Sequence, residues 1–349
     1  MHAIQAALDN LTNRHFSSRT PGAALLVARK DEVFMSGAGL ANLATGAPIT
    51  ADTTFRLASV SKQFTAMCLL LLAQRQQLHL NDNLNLYFPE LTQFKSIQLL
   101  HLLNHTSGLP DFEEHICGHQ TEQLTDEDVL AITAAQQEPL FAPGTLYRYS
   151  NTAYVLLGLL VERVSGTNYA DFLEEHIFAP LHMKHSVLYK ATGTIPHRAL
   201  GYRQSPSEGQ FILTDQNIGT ATRGDGCIYM SVQDYLKWHK ALSDAKLFNI
   251  NKPLKTYKAT IDEANGWHYN MGWFLAEVSH GNSEFFHSGD TSGFTNLVIR
   301  LPHLDALIVC FCNTANNQPF LTELLQELKK FPELCPTSDL VYKLPELTR

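Results

Sequence analysis

The 349-residue chain is long enough to bury a sizeable core as one to three domains, and its 44% apolar and 17% charged composition excludes global disorder. Its net charge of −8 argues against a nucleic-acid or anionic-membrane partner, since both call for a basic face. The longest apolar run, within 64–73, is about half of what a membrane span needs, so no membrane span is expected.

Met1-His2-Ala3-Ile4-Gln5 shows no charged stretch followed by an apolar one, and the expected location is cytoplasmic. Residues 3–16 place Ile4, Ala7, Leu8, Leu11 and Phe16 at helical spacing, and Pro21-Gly22 ends the pattern. Residues 23–28 and 32–39, joined by Arg29-Lys30-Asp31, read as a β-hairpin. From Ser59 to about Gly201 the pattern is mostly helical: an apolar helix after Lys62, then helices near 97–104, 126–137, 152–164 and 169–177. Residues 203–210 read as a turn at a cleft edge. Strands return at 267–278, 284–287, 294–301 and 306–311, a helix covers 321–330, and the Pro-containing tail 331–349 is weakly patterned. The expected fold is α/β plus all-α: an antiparallel β-sheet flanked by N- and C-terminal helices, with an inserted helical lobe. Residues 1–331 form one unit, with an α/β lobe from 1–58 and 220–331 and a helical lobe at 59–219, and 332–349 are a C-terminal tail. A cleft between two such lobes is a usual place for a site.

The six cysteines, Cys68, Cys117, Cys227, Cys310, Cys312 and Cys335, follow no zinc-ribbon spacing. Cys310 and Cys312 lie two apart in an apolar run and read as buried thiols on one strand face. His101 and His105, and the cluster His115, Cys117 and His119, provide no complete ligand set, so neither metal nor cofactor is expected. The dinucleotide, phosphate-loop and Gly-x-Ser-x-Gly motifs are absent from the sequence.

Three stretches carry chemistry. In Ser59-Val60-Ser61-Lys62, a helix beginning near Ser59 would bring Ser59 and Lys62 onto one face, while Ser61 turns away. A buried lysine pushed towards its neutral form can take a serine's proton, and the backbone N–H groups of a helix start favour an oxyanion. Alone, the same residues read as an N-cap and a solvated charge. Tyr149 and Asn151, two apart before a helix, can relay a proton and hold both a lysine and a substrate carbonyl. His287-Ser288-Gly289-Asp290 ends a strand, where Gly289 lets backbone approach a ligand and His287 could bind a carboxylate or help a proton transfer.

In this order, Ser-x-x-Lys, Tyr-x-Asn and His-x-Gly resemble the motifs of the penicillin-recognising serine hydrolases. The branch they resemble includes class C β-lactamases, DD-carboxypeptidases, D-aminopeptidases and β-lactamase-like esterases. Phe55–Lys62, the Leu102–Pro110 stretch LLNHTSGLP, Pro143-Gly144 with Tyr149-Ser150-Asn151, Gly224–Ser231 with Asp234 and Trp238, and Met271-Gly272-Trp273 extend the likeness over most of the chain. The resemblance implies a β-lactamase/transpeptidase-like fold and an acyl-enzyme on Ser59. It also implies Lys62 as the deprotonating group, Tyr149 as partner base and acid, and Asn151 as the residue orienting Lys62 and the substrate amide. The oxyanion hole would be the N–H groups of Ser59 and Asp290, with Gly289 and Asn151 at the substrate. His287 stands where many relatives have a lysine, which turns the expectation from a literal β-lactamase towards a D-amino-acid-specific peptidase or a carboxylesterase. The expected partner is a small-molecule or short-peptide substrate, and oligomeric state is left open. A catalytically silent binding scaffold is the competing class. Against it stands the joint presence of Ser59, Lys62, Tyr149 and Asn151.

Overall fold

Both ends of the chain contribute strands to one eight-stranded antiparallel sheet. The computed structural model describes residues 2–116, 120–190, 193–207 and 209–348. The first hairpin supplies β1 (Ala23–Arg29) and β2 (Glu32–Ala38). The rest are β3 (Ala259–Asp262), β4 (Trp267–Asn270), β5 (Trp273–Glu277), β6 (Ser283–Thr291), β7 (Phe294–Leu301) and β8 (Ala306–Cys312). The spatial order is β3-β4-β5-β6-β7-β8-β1-β2, so β1 closes against β8, with Ala23 opposite Cys312 and Arg29 opposite Ala306. Strand β8 is apolar and buried at every residue, as a strand covered on both faces must be. Edge strand β2 keeps part of its surface in solvent.

The longer helices are α1 (His2–His15), α2 (Lys62–Gln74), α3 (Asp126–Ala134), α4 (Asn151–Ser165), α5 (Val232–Ser243), α6 (Gln318–Leu328) and α7 (Leu340–Leu347). Helices α1 and α6 pack together at β2, and α5 packs on β1 and β8. Between the two groups of strands the chain builds the helical lobe, where α2 packs on α4. Residues Lys62 to Leu72 of α2 are all buried, so it is an interior helix without a polar face. A three-stranded ribbon of Phe55–Arg56, Ile228–Met230 and Ser186–Leu188 leads the chain from the sheet into α2.

The mixed architecture, with a large antiparallel sheet and helices, agrees with the fold expected from the sequence. Three local readings change. The alternating stretch 267–278 is two strands, because Met271 (φ +50°) and Gly272 (φ +81°) make a tight reversal. Gly272 is needed there: a Cβ would lie 2.5 Å from the backbone nitrogen of Gln63 at the start of α2. The stretch 203–210 belongs to a two-stranded ribbon of Tyr202–Gln204 and Phe211–Leu213, with Glu208 outside the described residues. The weakly patterned tail contains α7, which packs against β6.

Cys68, Cys227, Cys310 and Cys312 are buried free thiols, and the Sγ atoms of Cys310 and Cys312 lie 3.5 Å apart. Cys117 and His119 lie outside the described residues. Among the described residues no helix is long and apolar enough to cross a membrane, and no group of three or more His, Cys, Asp or Glu could hold a metal ion.

Candidate active site

Ser59 does not begin an α-helix. It lies in a short 3₁₀ turn, Ala58–Ser61, and α2 starts at Lys62. The turn is entered through Ala58 at φ +48°, a left-handed conformation that costs a non-glycine residue about 1–2 kcal/mol. The packed surroundings hold it: Leu57 donates its N–H to Ile228 O at 2.8 Å, and Ala58 is buried. Ser61 is directed inward, where its Oγ accepts the N–H of Ile228 at 3.3 Å. Ser59 is therefore the serine of this stretch that lines the cavity.

Lys62 is fully buried, and its Nζ donates to Ser59 Oγ at 3.0 Å, Asn151 Oδ1 at 2.8 Å and Asp225 O at 3.0 Å. Burial lowers its pKa to about 8, against the opposing pull of Asp225, Asp111 and Glu113. About a tenth of the amine is thus neutral at pH 7, and about half at pH 8. The ammonium also faces the ring of Tyr149, 4.9 Å from its centroid.

Tyr149 and Asn151 arrive on the lead-in to α4. Ser150 caps that helix by accepting the N–H of Ala153 at 3.2 Å, so Asn151 is its first residue and Tyr149 precedes the cap. Among the described residues the buried Tyr149 hydroxyl has no hydrogen bond of ordinary geometry; Ser59 beside it favours its ionised form, and Tyr154, Asp225 and Asp111 oppose it. Burial pushes this phenol well above its ordinary pKa, so it rests as a neutral phenol. His105, from the LLNHTSGLP stretch, holds the segment in place. Its Nδ1 accepts the Ser150 N–H at 3.2 Å, its backbone O accepts that of Arg148 at 2.8 Å, and its ring lies 4.2 Å from that of Tyr149. His105 is buried, and desolvation keeps its imidazole neutral.

Strand β6 supplies the opposite wall. Gly289 runs so close to the serine turn that a Cβ there would lie 2.2 Å from Leu57 O and 3.3 Å from Ser59 N. Asn296 of β7 ties the two together, donating to Arg56 O at 2.9 Å and Gly289 O at 3.2 Å. Ser288 and Asp290 line the cavity, whereas His287, on the same face of β6 as Gly289, is buried among the rings of Tyr149, Tyr269 and Phe274. His287 is 0% exposed, so it has no surface for a substrate carboxylate. Burial lowers its pKa to about 3. The neutral ring donates from Nδ1 to Ser288 O at 2.6 Å, which leaves Nε2 to accept from Tyr269 Oη at 3.2 Å. The structure thus brings Ser59, Lys62, Tyr149 and Asn151 together, with His287 buried beside them, its ring 6.3 Å from that of Tyr149.

Two cavities of about 230 and 260 Å³ meet at Ser59, Glu113, Asn151 and Asp290. The sequence reading missed the acids around them. Asp111 Oδ2 accepts the Asn151 N–H at 2.6 Å, and Glu113 Oε1 accepts from Asn151 Nδ2 at 3.1 Å. Glu113 reaches solvent along part of its length. Desolvation of its carboxyl, with Asp111 and Asp225 close by, raises its pKa to about 7. Asp111 directly follows LLNHTSGLP, so its position beside that stretch was the one available signal.

This constellation, a buried lysine between a serine, an asparagine and a tyrosine on a helical lobe against an antiparallel sheet, defines an acyl-transferring serine hydrolase. The family model described as Beta-lactamase matches residues 4–329, and the chain belongs to that family of serine hydrolases. Penicillin-binding protein 4* of Bacillus subtilis (strain 168) is 27% identical over 320 residues, covering 87% of this chain and 70% of that protein. Protein flp of Staphylococcus aureus (strain MW2) is 27% identical over 328 residues, covering 88% of this chain but 62% of that protein's length. Among solved structures, a D-amino acid amidase from Ochrobactrum anthropi SV3 complexed with L-phenylalanine amide superimposes with a TM-score of 0.77 at 25% identity, covering 94% of this chain and 98% of that one.

Proposed function

We propose that the chain hydrolyses the amide bond of a small substrate bearing a free amino group, an amino-acid amide or short peptide, through an acyl-enzyme on Ser59. The observation that carries this reading is the charge of the cavity walls. The charged residues lining the two cavities are Glu113, Asp225, Asp290 and Arg56. The Arg56 guanidinium is engaged with Thr220 O at 2.6 Å and Gln216 Oε1 at 3.5 Å. Such walls attract an ammonium group and provide poor footing for the carboxylate of a β-lactam. The neutral, buried His287 adds no cation there, and the likeness to the Ochrobactrum amidase supports the same direction.

Neutral Lys62 takes the proton of Ser59 Oγ as that oxygen bonds to the substrate carbonyl carbon. The carbonyl oxygen becomes an oxyanion facing the N–H groups of Ser59 and Asp290. Tyr149 donates its phenolic proton to the leaving nitrogen as the C–N bond breaks, and regains a proton from Lys62. In deacylation a water molecule gives its proton to the same Lys62–Tyr149 pair while its oxygen attacks the ester carbon, and Ser59 Oγ leaves with the proton. Asn151 holds Lys62 and is placed to receive the substrate amide. The test is a panel of D- and L-amino-acid anilides, p-nitrophenyl esters and a chromogenic cephalosporin, with wild type and Ser59→Ala. The proposal requires amino-acid anilide turnover that Ser59→Ala loses. Equal rates for the two proteins would remove Ser59 from the reaction, and turnover of the cephalosporin alone would overturn the substrate class.

Residues 1–331 are proposed to form one unit that carries Ser59, Lys62, Tyr149 and Asn151. A cytoplasmic location is proposed too; the free thiols, with Cys310 and Cys312 adjacent and unbridged, support it. Cell fractionation tests the location.

A further inference from the structure

The family match ends at residue 329, yet the chain continues past it into the wall of the catalytic cavity. Pro345 and Thr348, at the end of α7, line the same space as Ser59 and Tyr149. Specific contacts hold the segment there. Glu284 of β6 is fully buried, and its carboxylate accepts the N–H groups of Thr337 at 2.9 Å and Ser338 at 3.0 Å and the Thr337 hydroxyl at 2.9 Å. Tyr147, two residues before Tyr149, donates its hydroxyl to Leu347 O at 3.1 Å. Leu340, Val341 and Leu344 are buried beneath. A buried carboxylate satisfied mainly by backbone N–H groups fixes the entry of the segment, and the Tyr147 contact fixes its exit.

Between α6 and α7 this docking leaves a groove of about 260 Å³ with a different character from the catalytic cavity. Its walls are largely apolar, with Leu297 of β7 at the floor, Leu321 and Leu325 on α6, and Val341 and Leu344 on α7. It adjoins the catalytic cavity, since Ser288, Asp290, Gln318 and Pro345 line both spaces. The groove therefore lies beside the position of a substrate attacked by Ser59.

We propose that the segment 332–349 completes the active site, and that the groove between α6 and α7 is a subsite for the apolar side chain of the substrate, aliphatic or aromatic. The proposal rests on Ser59 being the acylated residue. A substrate whose ammonium faces the acids around Glu113 can lay its side chain towards Pro345 and Leu321, on the opposite flank of the reacting carbonyl. Substrate choice is then set in part by a helix outside the family region.

The test uses the full chain. Leu321→Trp fills the groove from its half-buried wall, and Pro345→Ala trims the lip shared with the cavity. For each, kcat/KM is measured on the anilides of phenylalanine, leucine and alanine, alongside the rate at which a fluorophosphonate labels Ser59 and the melting temperature. The expected result for Leu321→Trp is a fall of roughly tenfold in the phenylalanine-to-alanine ratio of kcat/KM, with Ser59 still labelled. Pro345→Ala is expected to shift the same ratio by a smaller factor. If wild type is labelled and neither variant changes the ratio, the subsite is overturned while the hydrolase reading stands. If wild type is not labelled at all, both fall. Should Leu321→Trp lose its folded melting transition, the ratio in Pro345→Ala decides.

Discussion

Lys62 Nζ donates to Asn151 Oδ1 at 2.8 Å, joining the first turn of one buried helix to the first turn of another. That bond, with those to Ser59 Oγ and Asp225 O, leaves the amine facing the nucleophile in a site where burial favours the neutral form. Acylation should therefore rise with pH through the Lys62 pKa of about 8, as the fraction able to accept the serine proton grows. Asp225 raises that pKa by its charge, so Asp225→Asn should move the rising limb to lower pH. Lys62→Arg keeps the charge but cannot give up its proton, and its acylation rate should fall at least about 10³-fold. The pH dependence of fluorophosphonate labelling checks all three. A limb that does not move in Asp225→Asn would mean that another group controls it.

Gly289 permits a contact that no other residue could make. An added methyl group would lie 2.2 Å from Leu57 O, inside any tolerable separation, so strand and turn would have to part. Gly289→Ala is expected to cost roughly 1–3 kcal/mol of stability. It should also slow acylation about a hundredfold or more by displacing the Asp290 N–H relative to Ser59. Urea unfolding and labelling rates measure the two effects. A variant acylated at the wild-type rate would show that the oxyanion is held elsewhere.

Glu113 can be separated from the rest of the site by comparing substrates. Its carboxyl ionises with a pKa of about 7, so above that pH the cavity carries one more negative charge. For an amine-bearing anilide, Glu113→Gln should raise KM about tenfold at pH 8, the worth of one charge-assisted hydrogen bond. For a neutral p-nitrophenyl ester the change should be much smaller. Equal effects on both would assign Glu113 to holding Asn151, whose amide it accepts at 3.1 Å, and not to the substrate.

Parts of this site were legible because their spacing is local. Ser59 and Lys62 lie three apart just ahead of an apolar helical run, and Tyr149 and Asn151 lie two apart before another helix, so local spacing places each pair. Most of the sheet strands were legible from their apolar runs or alternation, but β3 at Ala259–Asp262, a short strand that is nowhere fully buried, was not. The burial of His287 was not legible either, since it comes from Tyr269 and Phe274, which only the pairing of neighbouring strands brings over its ring. Asp111 caps the short 3₁₀ turn at Phe112–His115, Glu113 lies in it and Asp225 stands in a loop, none with a readable period, and only tertiary packing brings them to Lys62. The reversal at Met271-Gly272 was hidden because aromatic alternation continues across it. Helix α7 was hidden because it is short and carries Pro345 inside.

His239 tests the energetic cost of burying neutral imidazoles. It lies on α5, away from the cavity, 7% exposed, with Nδ1 unpaired. Burial first, and then the cations of Arg300 and Lys240, lower its pKa to about 3. In the unfolded chain the ordinary value is about 6.5, so between about pH 6.5 and 3 the unfolded state binds a proton that the native state refuses. Stability must therefore fall as the pH falls through that window, by up to about 1.4 kcal/mol per unit for this residue. His287 and His105 act in the same sense, while Glu113 and Asp126, raised to about 7 and about 6, act in the opposite one. The wild-type slope alone is therefore ambiguous, and the difference from His239→Gln isolates the one group. Relative to wild type, the variant should gain about 1.6 kcal/mol between pH 6.5 and pH 5, whatever its offset at neutral pH. Urea denaturation of both proteins at the two pH values measures this, and a stability difference independent of pH would mean that His239 is protonated in the folded protein.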